Sequence, residues 1–437
     1  MNKFYNRCSE LNELKKLNST EGSSRMVVLT GRRRVGKTAL ALEFARNLKH
    51  VYLFVAKKAE TMLCEEYLNE IKGRFPELPV IGEIHYFRDI FELLLRLSQK
   101  EKFTVVIDEF QEFYYINPSV YSDIQKLWDL NKNRCELTVV FIGSVYSLMY
   151  KIFQNSREPL FNRADRIMHL KPFTVGTIAE ILADNKAPRK LLFDYYLFTG
   201  GSPKYIEILV DNRAFTFDKI IDVITSTDSP FINEGKNLLI EEFGKEYGVY
   251  FSILELISSG KTGRSEIESI LETNIGGYLD RLEKDYGIIG RIRPINAKPN
   301  SRKMKYAILD NFLNFWFRFL YRNRSAVEIG NFEYIKNIIK RDYDTYAGKI
   351  LEKFFKDILG ESKKYNRIGS YWERDGGNEI DIVAVNDAEK KVLIGDVKLS
   401  AKKLDLVSLQ RKAAGLVDYF KGYDIEYRGF SGDDAMV

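Results

Sequence analysis

Gly31-Arg32-Arg33-Arg34-Val35-Gly36-Lys37-Thr38 lies between an apolar run at 26–30 (MVVLT) and a stretch at 38–48 with the pattern of a helix. Two glycines with four residues between them, followed by Lys-Thr at a strand-to-helix turn, fit the pattern G-x-x-x-x-G-K-[ST]. The glycines reach backbone angles closed to most residues, so successive N–H groups can turn inward, and the first helical turn adds the positive end of its dipole. A ring of amides of this kind cradles phosphates. Lys37 is expected to reach the β- and γ-phosphates of ATP, and the Thr38 hydroxyl to ligate Mg2+. Arg32, Arg33, Arg34, Val35 and Ala39 complete the expected nucleotide-binding stretch.

Outward from this loop, further apolar runs occur at 51–55 (VYLFV), 103–107 (FTVVI), 137–143 (LTVVFIG) and 166–170 (RIMHL). Nearly unbroken β-branched and aliphatic runs are the signature of strands covered on both faces. With helical stretches at 61–74, 86–98 and 119–131 between them, residues 1–170 are predicted to form an α/β domain, the parallel sheet of a P-loop NTPase. The run 105–109 ends in Asp108 and Glu109. Asp108 would hold the Mg2+ shell, and Glu109 would orient and polarise the attacking water. Ser144 follows the strand at 137–143 and has two readings, a γ-phosphate sensor or a helix N-cap. Arg163 and Arg166 come after the next loop; Arg163 is the favoured residue for neutralising transition-state charge, in cis or from a neighbouring subunit.

Beyond 170 the pattern becomes helical, predicting a lid over 171–245. Residues 246–330 show three short helices, with Ser265 and Glu268 as a capping box for the second and Asn274 as cap of the third. Ile275, Leu279 and Leu282 would face inward on the third helix, and Tyr278 and Arg281 outward. Arg291, Arg293, Lys298, Arg302, Lys303 and Lys305 then follow without an acid between 291 and 309. Helix–turn–helix followed by a basic hairpin resembles a winged helix, whose third helix enters the major groove of double-stranded DNA while the wing touches phosphates. A basic loop on a protein-interaction module is the other reading.

The segment 331–437 opens with a helix (343–358) carrying Glu352, then strands at 379–385 and 391–398 joined through Asn386-Asp387. A tight hairpin centred near 388 would pair residue 381 with about 395, making Asp381 and Asp396 neighbours, with Lys398 on the face of Asp396. Glu…Asp…Asp-x-Lys in this order resembles a PD-(D/E)XK nuclease core. That resemblance implies an α/β nuclease-like domain in which Asp381 and Asp396 hold Mg2+, and Glu352 and Lys398 join the catalytic set. A structural domain with solvated charges is the alternative.

The strings GRRRVGKTAL, VVIDEFQEF, FIGSVYSLM, PLFNRADRI and TGGSPKYI together resemble the archaeal-type ATPase family, a branch of the AAA+/STAND NTPases also found in bacteria. FYNRCSELNELKKL is similar to that family's opening element, which lies against the adenine; Arg7 and Glu10 match its polar positions. Pro203 in TGGSPKYI matches the segment that closes the lid over nucleotide. The first expectation is an ATP-hydrolysing, DNA-associated enzyme in which nucleotide state repositions the C-terminal modules. A signalling switch whose C-terminal half binds a protein partner and cuts nothing is the other class of function.

Composition limits these options. A chain of 437 residues is too long for one core and suggests several domains. Its 26 Tyr and 29 Phe argue for filled cores against disorder. Cys8, Cys64 and Cys135 with three histidines match no zinc spacing. No run approaches the roughly 18 apolar residues of a membrane span, and the first residues lack an apolar leader, so a cytoplasmic protein is expected.

Overall fold

Strands apolar on both faces are stable only between two layers of other structure. The computed structural model describes residues 3–78, 82–244, 247–298, 301, 304–373 and 378–434. The chain divides into two compact units, Asn6–Lys171 and Pro172–Val437, the latter together with the short N-terminal stretch ending at Tyr5.

The first unit runs α1 (Cys8–Ser19), β1 (Arg25–Thr30), α2 (Lys37–Ala45), β2 (His50–Phe54), α3 (Glu60–Arg74), α4 (Phe87–Ser98), β3 (Phe103–Asp108), α5 (Phe113–Ile116), α6 (Ser119–Asn131), β4 (Leu137–Ile142), α7 (Tyr146–Gln154) and β5 (Arg166–His169). The sheet is parallel, in the order β2-β3-β4-β1-β5. Met26, Val28, Val105, Ile107, Val139 and Phe141 share a core with side chains of α3, α4 and α6. The alternate residues Val27, Leu29, Val106 and Val140 are equally buried on the opposite face. Both faces are covered, as the unbroken apolar runs require.

The second unit runs α8 (Val175–Asp184), α9 (Leu192–Thr199), α10 (Pro203–Asp211), α11 (Phe217–Ile224), α12 (Pro230–Phe243), α13 (Tyr247–Ser258), α14 (Arg264–Leu271), α15 (Gly276–Asp280), β6 (Ile289–Ile292), β7 (Lys305–Ile308), α16 (Asn311–Phe315), α17 (Arg324–Glu328), α18 (Phe332–Glu361), β8 (Arg367–Trp372), β9 (Glu379–Asn386), β10 (Lys391–Lys398), α19 (Leu406–Lys412), α20 (Ala414–Tyr419) and β11 (Asp424–Ser431). The C-terminal strands form one sheet ordered β11-β10-β9-β8, and β6 pairs antiparallel with β7.

Several expectations change here. The segments 171–245, 246–330 and 331–437 do not form separate compact bodies. Phe198, Ile253, Phe315, Phe354 and Leu393, drawn from all three, lie in one hydrophobic core. The helix expected at 343–358 is α18, whose 30 residues begin at Phe332. Strands β8 and β11 were not foreseen; β11, an edge strand, alternates exposed and half-buried residues over most of its length, as successive side chains point to opposite faces. The β9–β10 register pairs Ile382 with Gly395, so Asp381 continues opposite Asp396 rather than 395. Ser265 caps nothing: α14 starts at Arg264 after Gly263, and Glu268 instead accepts from the Ile275 N–H at 3.2 Å. Asn274 does accept from the Gly276 N–H, at 3.0 Å. Tyr278 is half-buried with its ring edge-on to Tyr250 rather than outward.

Gly235 on α12 lies beneath the Trp316 indole, where an added Cβ would collide with the ring. The indole N–H donates to the Ile232 carbonyl at 2.8 Å, so the ring cannot simply swing aside. Replacing a helical glycine by alanine ordinarily gains up to about 1 kcal/mol, but overpacking costs about 1–3 kcal/mol. Gly235→Ala is therefore expected to lower the melting temperature, whereas Gly277→Ala, with none of the described residues within 4 Å of the new methyl, is expected not to. Thermal denaturation of the two variants checks the sign.

Candidate nucleotide site

The loop after β1 is held in shape by backbone that few residues tolerate. Gly31 has φ 140°, and a Cβ there would stand 2.6 Å from the Leu170 carbonyl oxygen. Arg34 and Gly36 follow at φ 70° and 89°, turning the chain into α2. Lys37 is only 7% exposed; its ammonium donates back to the carbonyl oxygens of Gly31 at 2.7 Å and Arg32 at 2.9 Å. Burial pulls this ammonium down to about 8, against the attraction of Glu109 and Asp108. Arg7, just before α1, is also buried. Its guanidinium donates to the Val35 carbonyl at 3.1 Å and the Lys171 carbonyl at 2.5 Å, and pairs with Glu10 at 3.2 Å. These partners make Arg7 a brace on the loop's own backbone.

The two acids stand at the end of β3. Asp108 Oδ2 accepts the Thr38 hydroxyl at 2.6 Å and the Tyr52 hydroxyl at 2.9 Å, while Oδ1 accepts the Glu109 N–H at 2.9 Å. Burial pushes the Asp108 carboxyl up; the two hydroxyl hydrogen bonds oppose that. Glu109 takes left-handed backbone, φ 54° and ψ 39°, a strained choice for a residue with a Cβ. Its Oε2 accepts Ser144 Oγ at 2.7 Å and Gln111 Nε2 at 2.6 Å. Ser144 is not a helix cap here, since α7 begins at Tyr146 with Val145 at its boundary.

With this geometry in hand, relatives become informative. Residues 4–209 match an ATPase domain predominantly from Archaea, and residues 316–412 match a family of archaeal and bacterial proteins of unknown function. An uncharacterized protein of Methanocaldococcus jannaschii is 32% identical over 432 residues, 94% of this chain and 93% of its own. The chain belongs to the archaeal ATPase family. Among solved structures, the Walker-type ATPase PABY2304 of Pyrococcus abyssi is similar at TM-score 0.56 and 18% identity, over 72% of this chain and 96% of that one. The ORC2 protein of Aeropyrum pernix, solved as ADPNP-ADP complexes, is similar at TM-score 0.50 and 14% identity, over 78% and 96%. At such identities both likenesses concern the fold, a P-loop NTPase sheet with further modules. Among the described residues, no helix is long and apolar enough to cross a membrane.

In this archaeal-family ATPase the remaining expected residues are distributed unevenly. Arg163 donates to Asp129 near the end of α6 at 3.1 Å and to the Phe161 carbonyl at 2.8 Å. Two residues on, Asp165 accepts from the Met26 N–H at the beginning of β1. Arg163 thus lies where the strands start, whereas the loop lies where they end, roughly 20 Å along a six-residue strand. The fold does not bring it to its own loop, which removes the cis reading. Arg166 pairs with Glu13. Pro203 belongs to the second unit, where it opens α10 after Ser202.

The second unit gathers the other set. Lys398 Nζ lies 2.7 Å from Asp396 and 3.7 Å from Asp381, and Asp381 accepts the Val397 N–H at 2.8 Å. Burial would lower the Lys398 ammonium, but the Asp396 hydrogen bond and the charges of Asp381, Asp396 and Glu352 hold it above its ordinary value. On α18, Glu352 pairs with Lys356 at 3.6 Å. About a third of its side chain is open, yet burial of the carboxyl end, with Asp381 and Glu379 nearby, pushes Glu352 up. Lys356 also donates to Ser370 Oγ at 2.6 Å, and Ser370 to the Asp381 carbonyl at 3.0 Å. Among the described residues, no group of three or more His, Cys, Asp or Glu is arranged to hold a metal ion.

Sequence reading missed Tyr52 and Gln111. Tyr52 sits on a strand with no motif of its own and meets Asp108 only through the β2–β3 register, Phe54 against Asp108. Gln111 stood inside the quoted string VVIDEFQEF without a role, because a glutamine there is legible only once its burial is known.

Lys37 gives a pH test. Its lowered value means the loop's ammonium is partly deprotonated above about pH 8, and a bound triphosphate raises it again. Binding ATP at pH 8.5 is therefore expected to take up a proton, and affinity to fall as pH rises beyond 8. Calorimetry in two buffers of different ionisation enthalpy reads the proton directly.

Proposed function

We propose that this ATPase hydrolyses ATP with Mg2+ held by Thr38 and Asp108, Lys37 on the β- and γ-phosphates, and Glu109 orienting the attacking water. What carries this reading is the Thr38–Asp108 contact of 2.6 Å, joining the loop to the strand bearing the acids. A hydroxyl and a carboxylate side by side suit Mg2+, which keeps several waters and few protein ligands beside substrate phosphates. When bound, the ion neutralises charge developing on the phosphate oxygens. Ser144 fits a γ-phosphate sensor, since its hydroxyl already lies in this network. Arg163, remote from its own loop, fits supply in trans, which makes a homo-oligomer the working form.

We infer further that turnover is coupled to double-stranded DNA through α13–α15 and the β6–β7 hairpin, read as a winged helix, with the α8–α12 segment read as the lid. In support, Ile275, Leu279 and Leu282 are buried, while Arg281 and Lys284 are exposed. The basic stretch contributes less than its sequence suggested. Arg291 is neutralised by Asp280 and Glu283, and Lys305 bonds Glu379 at 3.0 Å. Arg302 and Lys303 lie outside the described residues. Arg293 and Lys298 are the remaining phosphate ligands of this proposal.

Glu352, Asp381, Asp396 and Lys398 support DNA cleavage of the PD-(D/E)XK type, with Mg2+ at Asp381 and Asp396. One observation favours the second reading, a nucleotide-driven switch with a non-catalytic C-terminal module for a protein partner: the Lys398 ammonium already pairs with both aspartates, at 2.7 Å from Asp396 and 3.7 Å from Asp381.

Lys37→Ala is expected to abolish nucleotide binding, and Glu109→Gln to keep binding while lowering hydrolysis by about 10²–10⁴-fold; equilibrium binding and phosphate-release assays separate the two. Duplex affinity is expected to fall linearly on a log–log plot against salt; no binding at low salt would remove the DNA reading. Nicking of DNA with Mg2+ or Mn2+ that is lost in Asp396→Ala supports cleavage, and its absence in the wild type leaves the non-catalytic module.

A further inference from the structure

The residue beside the proposed water-orienting acid has an unusual environment. Gln111 lies on the short helical turn Phe110–Glu112 directly after Glu109 and is completely buried. Its amide nitrogen donates to Glu109 Oε2 at 2.6 Å and to Glu112 Oε1 at 3.3 Å. Two carboxylates on that side fix which end of the amide faces them, because the oxygen can only accept. The other end, Oε1, is buried and has no hydrogen-bond partner among the described residues. An unmet acceptor inside a protein is costly, so the donor end must repay it locally. The end of β4 leaves room for this: a Cβ on Gly143 would stand 2.7 Å from the same oxygen.

Glu109 is constrained from both directions. Its backbone is left-handed, and its Oε2 takes both the Gln111 amide at 2.6 Å and the Ser144 hydroxyl at 2.7 Å. A hydroxyl has one hydrogen to give. Should Ser144 turn that hydrogen to a γ-phosphate, Gln111 is the donor that stays on Glu109.

We propose that Gln111 is a positioning residue for hydrolysis: its amide holds Oε2 of Glu109 so that Oε1 is the oxygen that faces the attacking water. The inference rests on the reading of Glu109 given above. In the step, the water oxygen bonds to the γ-phosphorus as the bond to the bridging oxygen breaks. One water proton passes to Glu109 Oε1, ADP and phosphate leave, and the proton returns to solvent. Without the Gln111 amide the carboxylate rotates, and a misplacement of the order of 1 Å lowers the rate by about 100-fold.

The test uses the full chain with Gln111→Met, which keeps length and burial but removes the amide, Glu109→Gln, and the double variant. Gln111→Met is expected to lower kcat about 100-fold while leaving the melting temperature and the Kd for a non-hydrolysable ATP analogue at wild-type values. Adding it to Glu109→Gln is expected to lower kcat no further, because Gln111 acts through that carboxylate. Wild-type kcat in Gln111→Met beside an inactive Glu109→Gln overturns the inference, as does a loss of kcat that only tracks lost binding and stability. Retained turnover in Glu109→Gln overturns the underlying reading instead. If the methionine variant fails to fold, Gln111→Asn, which draws the amide back by one methylene, carries the same expectations.

Discussion

An ammonium group withdrawn from water and given carbonyl oxygens as its hydrogen-bond partners is held against its preference for solvent, and Lys37 is in that position. The arrangement is stable because the loop around it is fixed at several points. Gly31 closes against the Leu170 carbonyl, and Arg7 bridges the Val35 and Lys171 carbonyls. The parallel sheet then brings the β3 acids close enough for Asp108 to meet Thr38. A polyphosphate supplies the negative charge this buried cation lacks. The nucleotide site is thus a consequence of where the sheet lets a lysine be buried.

Around that constraint, side chains of ordinary type are drawn into one network. Tyr52 and Thr38 occupy one oxygen of Asp108; Ser144 and Gln111 occupy one oxygen of Glu109. The two acids have different surroundings although they are adjacent in sequence. Asp108 has both oxygens engaged, one by hydroxyls and one by a backbone N–H, whereas Glu109 is turned by its left-handed backbone so that side-chain donors reach one oxygen. That asymmetry is consistent with the different roles proposed for the two acids.

The second unit obeys a different constraint. Aromatic and aliphatic residues from α9, α13, α16, α18 and the C-terminal sheet fill one core, so modules separable on paper are continuous in packing. The same continuity alters charge. The basic run after residue 290 contains no acid, yet Arg291 and Lys305 find carboxylates on α15, on the turn that follows it, and on β9. A charge pattern along the chain says little about net field when acids from elsewhere fold onto it.

The amino-acid sequence by itself determined the five strands of the first sheet to within a residue at each end, the phosphate loop and the acid pair at 108–109. Those features are local: an unbroken apolar run, a glycine spacing and a strand ending in carboxylates each carry their meaning in contiguous residues. Tertiary structure alone decided that Gln111 and Tyr52 belong to the site, that Arg163 lies at the far end of the strands, and that Ser265 caps nothing. Each of these depends on which side chains come within about 3 Å of one another. Strand register and core packing set that distance, and residues far apart along the chain share no spacing from which it could be read.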